Sequence, residues 1–139
     1  MKTTIKLLFI IGLMLALNAC KKENTTIAAI TGKWNLVSDS TYAGVGYNNH
    51  PVNYIGQPGD YFNFTADGLV YTKEGSVLDT LTYSIQANNQ LNISGFGIIL
   101  NGVPELSQIS NFTAHTLKIT APRGITPGGQ FGRVVSLTR

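Results

Sequence analysis

The chain has 139 residues, a net charge of +3 and one cysteine. This length suits a single domain, and one cysteine excludes an internal disulfide. Lys2 and Lys6 lie in a segment that we expect to be removed, and the remaining eight basic and seven acidic residues leave a net charge of +1. These charges are scattered without a basic stripe, so the composition does not indicate nucleic-acid binding.

Residues 1–19 have the organisation of an export signal. Two lysines precede the apolar run LLFIIGLMLAL at positions 7–17. That run is too short to cross comfortably, as a helix, a hydrocarbon core about 30 Å thick. A positive start followed by a short apolar run is typical of a signal peptide rather than a membrane span.

The cysteine follows this signal directly. Leu17-Asn18-Ala19-Cys20 resembles the bacterial lipobox, which implies cleavage before Cys20 and a diacylglycerol on its thiol. Because two or more acyl chains anchor a protein stably, we expect a cell-envelope protein held at the membrane by lipid. Lys21 after the cysteine implies, by the same resemblance to Gram-negative lipoproteins, transport to the outer membrane. The alternative is an ordinary cleaved signal that leaves a free thiol.

The rest of the chain is predicted to form a tether and one all-β domain. Residues 20–30 are polar and unpatterned, as in a tether, and residues 31–139 form the domain. No segment of the domain has a convincing helical period, whereas runs rich in Val, Ile, Tyr, Phe and Thr recur between turn residues. We predict eight strands, at 32–40, 60–65, 69–73, 77–86, 90–100, 105–113, 116–121 and 131–139.

The connections favour an antiparallel up-and-down β-barrel over a sandwich. Tight turns at 66–68, 88–89 and 114–115 are the second, fourth and sixth connections, and the first and seventh, 41–59 and 122–130, are long. Connections of a meander alternate between its ends, so we expect every tight hairpin at a closed base and both long loops at an open mouth. The predicted inward side chains are Phe62, Phe64, Leu81, Tyr83, Ile93, Ile119, Val135 and Leu137.

Two ends of the domain carry a family resemblance. Gly32-Lys33-Trp34 matches the GxW signature on the first strand of lipocalins, and Arg139 lies where that family places an arginine over the tryptophan. The segments ITGKWNL, YFNFTADG, TYSI, QLNIS and VVSLTR resemble the lipocalin-like domains of Bacteroidetes lipoproteins over roughly residues 30–139. The resemblance implies a calycin-type, lipocalin-like barrel whose base is closed by Gly32, Trp34 and Arg139. A second TDY-type motif, a disulfide pair and a C-terminal helix are not found, so ligand binding does not follow from the resemblance alone.

The sequence indicates no catalytic residues, metal ligands or cofactor site. The strand count places His50 at the mouth and His115 at the base, roughly 15 to 20 Å apart, too far to share a metal ion or a proton. No serine or cysteine has an evident histidine and carboxylate partner. Four acidic residues are interpreted as turn residues and outward charges: Asp60, Asp67, Glu74 and Asp79. We therefore expect a protein that is not an enzyme.

The long first connection is the most informative candidate for function. Tyr42, Tyr47, His50 and Tyr54 are interleaved there with Gly and Asn, a composition suited to contact with a ligand or partner. The alternative is a solvated loop with its tyrosines folded onto the barrel rim. Inside the barrel, Phe62, Phe64 and Tyr83 are the candidate ligand contacts.

Two hypotheses for function remain open. The preferred one is a membrane-anchored protein whose barrel binds a small apolar or amphipathic ligand, gated by the loops around Tyr47 and Thr126. The alternative is a filled barrel that serves as a cell-envelope interaction module, contacting a protein or glycan through its mouth loops. An eight-stranded barrel is just wide enough for either arrangement.

Overall fold

The structure is a computed structural model, and it describes residues 30–43, 50–96, 99–100, 103–104, 106–127 and 129–139. Within these residues the chain forms twelve β-strands. They are β1 Gly32–Ala43, β2 His50–Ile55, β3 Tyr61–Phe64, β4 Leu69–Glu74, β5 Val77–Gln86, β6 Gln90–Ile93, β7 Ile99–Leu100, β8 Val103–Pro104, β9 Ser107–Ser110, β10 Thr116–Thr120, β11 Gly124–Thr126 and β12 Gly129–Thr138.

Eight of these strands close into an antiparallel barrel. Their order around the barrel is β1, β3, β4, β5, β6, β9, β10 and β12, and pairing between β12 and β1 closes it. This confirms the predicted all-β, eight-stranded, up-and-down barrel, an architecture consistent with a calycin-like fold. The eight barrel strands correspond to the eight segments predicted from the sequence.

The connections agree only in part with the prediction. At the base, Gly68, Asn88 and Asn89 have positive φ angles in two of the predicted turns, whereas the sixth connection is longer than predicted, since β9 ends at Ser110 and β10 begins at Thr116. At the mouth, however, Glu74 pairs with Val77 across a two-residue turn in which Gly75 has a φ of 63°. The prediction that every tight hairpin lies at the base is therefore wrong.

Two further expectations about secondary structure are corrected. The first long connection contains β2, which pairs with residues 38–43 of β1, where β3 does not reach. The predicted strand 90–100 ends at Ile93, because the chain turns there: the amide of Phe96 donates to the Ile93 carbonyl and Gly95 has a φ of 78°. Both changes occur at the mouth.

Bulky side chains fill the base half of the barrel. Seven of the eight predicted inward residues are buried and Leu81 packs against them, as predicted. The fully buried aromatic residues include Trp34 and Phe62, and Phe64 meets Tyr83 edge to face with ring centroids 5.1 Å apart. Ile30, which we assigned to the tether, is also fully buried, so the packed domain begins at least one residue earlier than predicted.

A β-bulge at Val37 changes which face of β1 lies inside. Leu36 pairs with Leu137 but Ser38 pairs with Ser136, so Val37 is an extra residue with no partner in the register to β12. Below the bulge Trp34 and Leu36 face the core. Above it, regular alternation would direct the even positions inward, but the extra residue directs Asp39 inward instead.

Candidate functional site

The mouth half of the barrel contains a cavity of about 410 Å³, here called the mouth cavity. Its walls come from β1, β2, β4, β5 and β12, and the residues share the inward face of each strand. They are Asp39, Thr41, Val52, Tyr54, Thr72, Glu74, Val77, Asp79, Leu81 and Arg133. The cavity therefore combines aliphatic walls with charged groups above the packed base.

Arg133 is the central charged residue of the mouth cavity. Its Nε donates to Asp39 Oδ2 at 2.6 Å, and its Nη2 lies 2.6 Å from the same oxygen and also donates to Glu74 Oε1. The guanidinium carbon lies 4.2 Å from the ring centroid of Phe96 and 5.8 Å from that of Phe62. A planar guanidinium suits both contacts, since its edge bonds carboxylates while its face stacks on aromatic rings.

The two carboxylates around Arg133 differ in their surroundings. Asp39 is 3% exposed and its Oδ1 accepts a hydrogen bond from Thr41 Oγ1 at 3.0 Å. Glu74 lies at the end of β4, and 20% of its side chain is exposed. Burial raises the pKa of Glu74 above its ordinary value, the Arg133 charge opposes this, and the nearby Asp39 carboxylate adds to it. Glu74 is thus the more accessible of the two carboxylates, and it holds a proton more readily than an ordinary glutamate.

A second carboxylate network fixes one wall of the mouth cavity. The Tyr54 hydroxyl donates to Asp60 Oδ2 at 2.5 Å, the Gln57 amide donates to the same oxygen, and the Gly75 amide donates to Oδ1 at 2.9 Å. The bond from Tyr54 and the amide bonds lower the pKa of Asp60, and the bond to Asp60 raises the pKa of Tyr54 to about 12. The network ties the loop after β2 to the turn between β4 and β5.

The structure separates the aromatic residues predicted as contacts. Tyr54 lines the mouth cavity, and Phe62 lies beneath the Arg133 guanidinium. Phe64 and Tyr83 lie in the packed base instead, and the Tyr83 hydroxyl donates to the carbonyl of residue 65. Tyr42 follows the cavity residue Thr41 on β1, so strand alternation directs its side chain to the opposite face. Its ring centroid lies 4.4 Å from the Arg123 guanidinium carbon. The structure therefore brings one of these five residues, Tyr54, into the cavity lining, and places Phe62 next to the lining residue Arg133.

Three predicted positions have no described side chain. Tyr47 and the lipidation site Cys20 lie outside the described residues. His50 is described only by its backbone, which pairs with Ala43 at the mouth end of β2. His115 lies at the opposite end of the barrel, where its carbonyl accepts a hydrogen bond from the Arg139 amide.

The base shows the contacts that the family resemblance implied. The Arg139 guanidinium carbon lies 4.0 Å from the ring centroid of Trp34, and Arg139 Nε donates to the Ala114 carbonyl at 2.9 Å. Trp34 Nε1 donates to the Ile30 carbonyl at 2.7 Å. Gly32 has a φ of 116°, a conformation that residues with a Cβ rarely adopt. Together these residues cover the closed end of the barrel.

Sequence reasoning missed the charged residues of the mouth cavity. Arg133 has the same parity on the last strand as Val135 and Leu137, which we predicted to face inward, so strand alternation could have found it. Asp60 ends the turn from Gln57 and Glu74 begins the turn to Val77, as a turn residue does, but neither is an outward charge, since Asp60 is 2% exposed and Glu74 lines the cavity. Asp79 is exposed but also belongs to the cavity wall.

Searches for other kinds of site give two results for the described residues. No helix among them is both long and apolar enough to cross a membrane. The same part of the chain contains no group of three or more His, Cys, Asp or Glu side chains placed to hold a metal ion.

Comparison of the chain with family models, curated proteins and solved structures finds no match.

Proposed function

We propose that this protein binds a small amphipathic molecule in the mouth cavity and is held at the cell envelope by lipid on Cys20. The observation that carries the proposal is the cavity of about 410 Å³ above a filled base. Small-molecule pockets typically measure about 300 to 1,000 Å³ and combine apolar walls with a few polar groups. The mouth cavity has both properties.

The lining favours an amphipathic ligand over a purely apolar one. Val52, Val77 and Leu81 supply aliphatic surface, while the accessible edges of Arg133 and Glu74 are charged. An apolar molecule that covered these charges would remove them from water without replacing their hydrogen bonds, which is unfavourable. A ligand with an apolar body and one polar group satisfies both parts of the wall.

We propose binding without catalysis, at the outer membrane. The Arg133 guanidinium bonds the Asp39 and Glu74 carboxylates, an arrangement suited to holding a shape rather than to transferring a proton or attacking a substrate. The membrane is the first partner, through the acyl chains at Cys20, which the lipobox-like sequence supports. Neither a cofactor nor a nucleic acid enters the proposal.

The test is native mass spectrometry of the mature chain carrying Cys20→Ser, after exposure to an extract of its own cell envelope. We expect a discrete excess mass that disappears on denaturation. Val77→Trp should abolish it by filling the cavity, whereas Leu78→Trp, on the neighbouring and 70% exposed position of the outer face, should not. An excess mass that survives Val77→Trp, or none in the parent protein, would refute binding in the mouth cavity.

A second candidate function is supported by exposed apolar side chains in the two long mouth connections. Ile55 on β2 is 65% exposed and Ile125 on β11 is 83% exposed. Exposed apolar surface of this kind is typical of contact sites when it forms a patch. In this hypothesis the protein is an envelope interaction module, and cross-linking to a protein or glycan should be lost in Ile55→Lys and Ile125→Lys without a change in the cavity ligand.

A further inference from the structure

The charges of the mouth cavity do not balance, and this limits the ligand that it can hold. Three carboxylates and one guanidinium are present among the described lining residues: Asp39, Glu74, Asp79 and Arg133. If all four are ionised, the lining carries two more negative charges than positive ones. The inference drawn from this imbalance rests on the proposed function and identifies the ligand class of the same site.

Arg133 is poorly placed to recognise an anion. Its Nε and Nη2 already contact Asp39, and Nη2 also contacts Glu74. An anionic ligand would have to displace a carboxylate from the guanidinium while approaching the remaining negative charge. Breaking one charge-assisted hydrogen bond to form another gives little net gain.

A cation has a favourable position in the same cavity. Glu74 and Arg133 have side chains about one fifth exposed, at 20% and 21%, whereas the Asp39 side chain is 4% exposed. Glu74 therefore presents the accessible negative charge, and the exposed Asp79 adds a second one on the neighbouring strand. The aliphatic side chains of Val52, Val77 and Leu81 also line the cavity and can contact an apolar body.

We infer that the ligand is a small amphipathic cation, with an ammonium or guanidinium group beside Glu74 and Asp79 and a short apolar body against Val52, Val77 and Leu81. The aromatic rings of Phe62 and Phe96 lie against Arg133, which lines the cavity. The cation supplies the positive charge that the lining lacks.

Proton binding to Glu74 competes with this cation. Burial raises the pKa of Glu74, so as the pH falls a proton takes up the charge that the ligand would neutralise. The charged or titratable groups that line the cavity around it are Asp39 on β1, Tyr54 on β2, Asp79 on β5 and Arg133 on β12. A bound cation lowers the pKa of Glu74 and releases its proton, so affinity should rise with pH through the titration of Glu74.

The experiment compares three probes with one apolar body and different head groups. Hexylammonium, hexanoate and hexan-1-ol are titrated by calorimetry into the mature, lipidated protein in a non-ionic detergent, with detergent blanks. We expect hexylammonium to bind about tenfold or more tightly than either other probe, as for one charge-assisted hydrogen bond. Its affinity should decrease on acidification, while that of hexan-1-ol should not change.

Variants separate the cavity charges from the charge of the protein as a whole. Glu74→Gln should reduce the preference for hexylammonium to within about threefold while leaving hexan-1-ol binding in place. Asp79→Asn, at an exposed position, should reduce it partly without risk to the fold. Asp67→Asn, which removes an exposed carboxylate from a base turn, should leave it unchanged.

The outcomes distinguish this inference from the proposed function. Equal affinities for the three probes, tightest binding of hexanoate, or a preference that survives both Glu74→Gln and Asp79→Asn would overturn the cationic ligand and leave small-molecule binding intact. Failure of all three probes to bind also counts against the cation. The proposed function itself fails only if the mass spectrometry of envelope-exposed protein shows no cavity-dependent ligand.

Discussion

Replacement of Trp34 by alanine should lower the free energy of unfolding by about 3 to 5 kcal/mol. Trp34 is fully buried, its Nε1 donates to the Ile30 carbonyl, and Arg139 covers its ring. Because a domain of this size is stable by about 5 to 15 kcal/mol, the loss is a large share of the total. With a urea m-value of about 2 kcal/mol/M, the midpoint should fall by about 2 M.

The hydrogen bond of Trp34 to Ile30 and its contact with Arg139 can be measured separately with further variants. Trp34→Phe keeps a ring but leaves the buried Ile30 carbonyl without its donor, which costs about 1 to 3 kcal/mol. Arg139→Gln removes the cation above the ring, and a double-mutant cycle with Trp34→Leu, which removes the ring, measures the coupling between the two side chains. Because Arg139 is exposed, its cation–π contact should contribute only about 0.5 to 1 kcal/mol.

The assay is urea denaturation followed by far-UV circular dichroism in the Cys20→Ser background. Trp34 is the only tryptophan of the chain, so its fluorescence can report on Arg139 variants but not on its own replacement. If Trp34→Ala unfolds within about 1 kcal/mol of the parent at an unchanged m-value, the argument that these residues hold the base together is wrong.

Three other predictions concern the anchor, a close backbone contact and the Asp60 network. Cys20→Ser should move the protein from the membrane to the soluble fraction, and continued detergent-dependent fractionation would contradict lipidation. Gly56→Ala should prevent stable folding, because the added Cβ would lie 2.0 Å from the Leu36 carbonyl oxygen of β1. The control is Gly132→Ala, whose Cβ would lie 3.5 Å from its nearest neighbouring atom and which should melt near the parent temperature. Asp60 has a lowered pKa, so its stabilising contribution is present above its unfolded pKa of about 4 and is lost as the pH falls towards the folded value. Tyr54→Phe removes the largest cause of that shift and should therefore reduce the loss of stability, measured by urea denaturation, between about pH 6 and about pH 3; an undiminished acid dependence would show that the Tyr54 bond does not set it.

Strand alternation made the barrel predictable wherever the pattern was regular. The run 77–86 was predicted with the bounds that β5 has, because apolar and polar residues alternate along it. The strand β2 was missed because Pro51 and Asn53 are unfavourable in central strands. In the structure β2 lies at an end of the sheet order, where a proline is tolerated.

Part of the candidate site was less predictable, because the position of Asp39 depends on a register that no local pattern encodes. Regular alternation from Trp34 and Leu36 places Asp39 outside, and only pairing with β12 shows the bulge that directs it inward. The inward position of Glu74 was missed, because Glu74 also begins the turn to Val77 and its partner Arg133 is 59 positions away. Residues this far apart in the sequence meet only because the barrel closes and brings β4 and β12 to the same cavity.

The bulge at Val37 also determines how this wall of the barrel responds to changes in chain length. Deletion of Val37 would straighten β1 and leave Asp39 and Thr41 facing the interior, since Val37 is the residue without a partner in the register to β12. Deletion of Ser40, three positions on, would instead turn Thr41 outward and bring Tyr42 into the cavity. Deletion at the first position therefore keeps the inward face of β1, although it removes the carbonyl that accepts from the Gly56 amide, whereas deletion at the second replaces part of the cavity wall. The place of an insertion or deletion matters more here than its size.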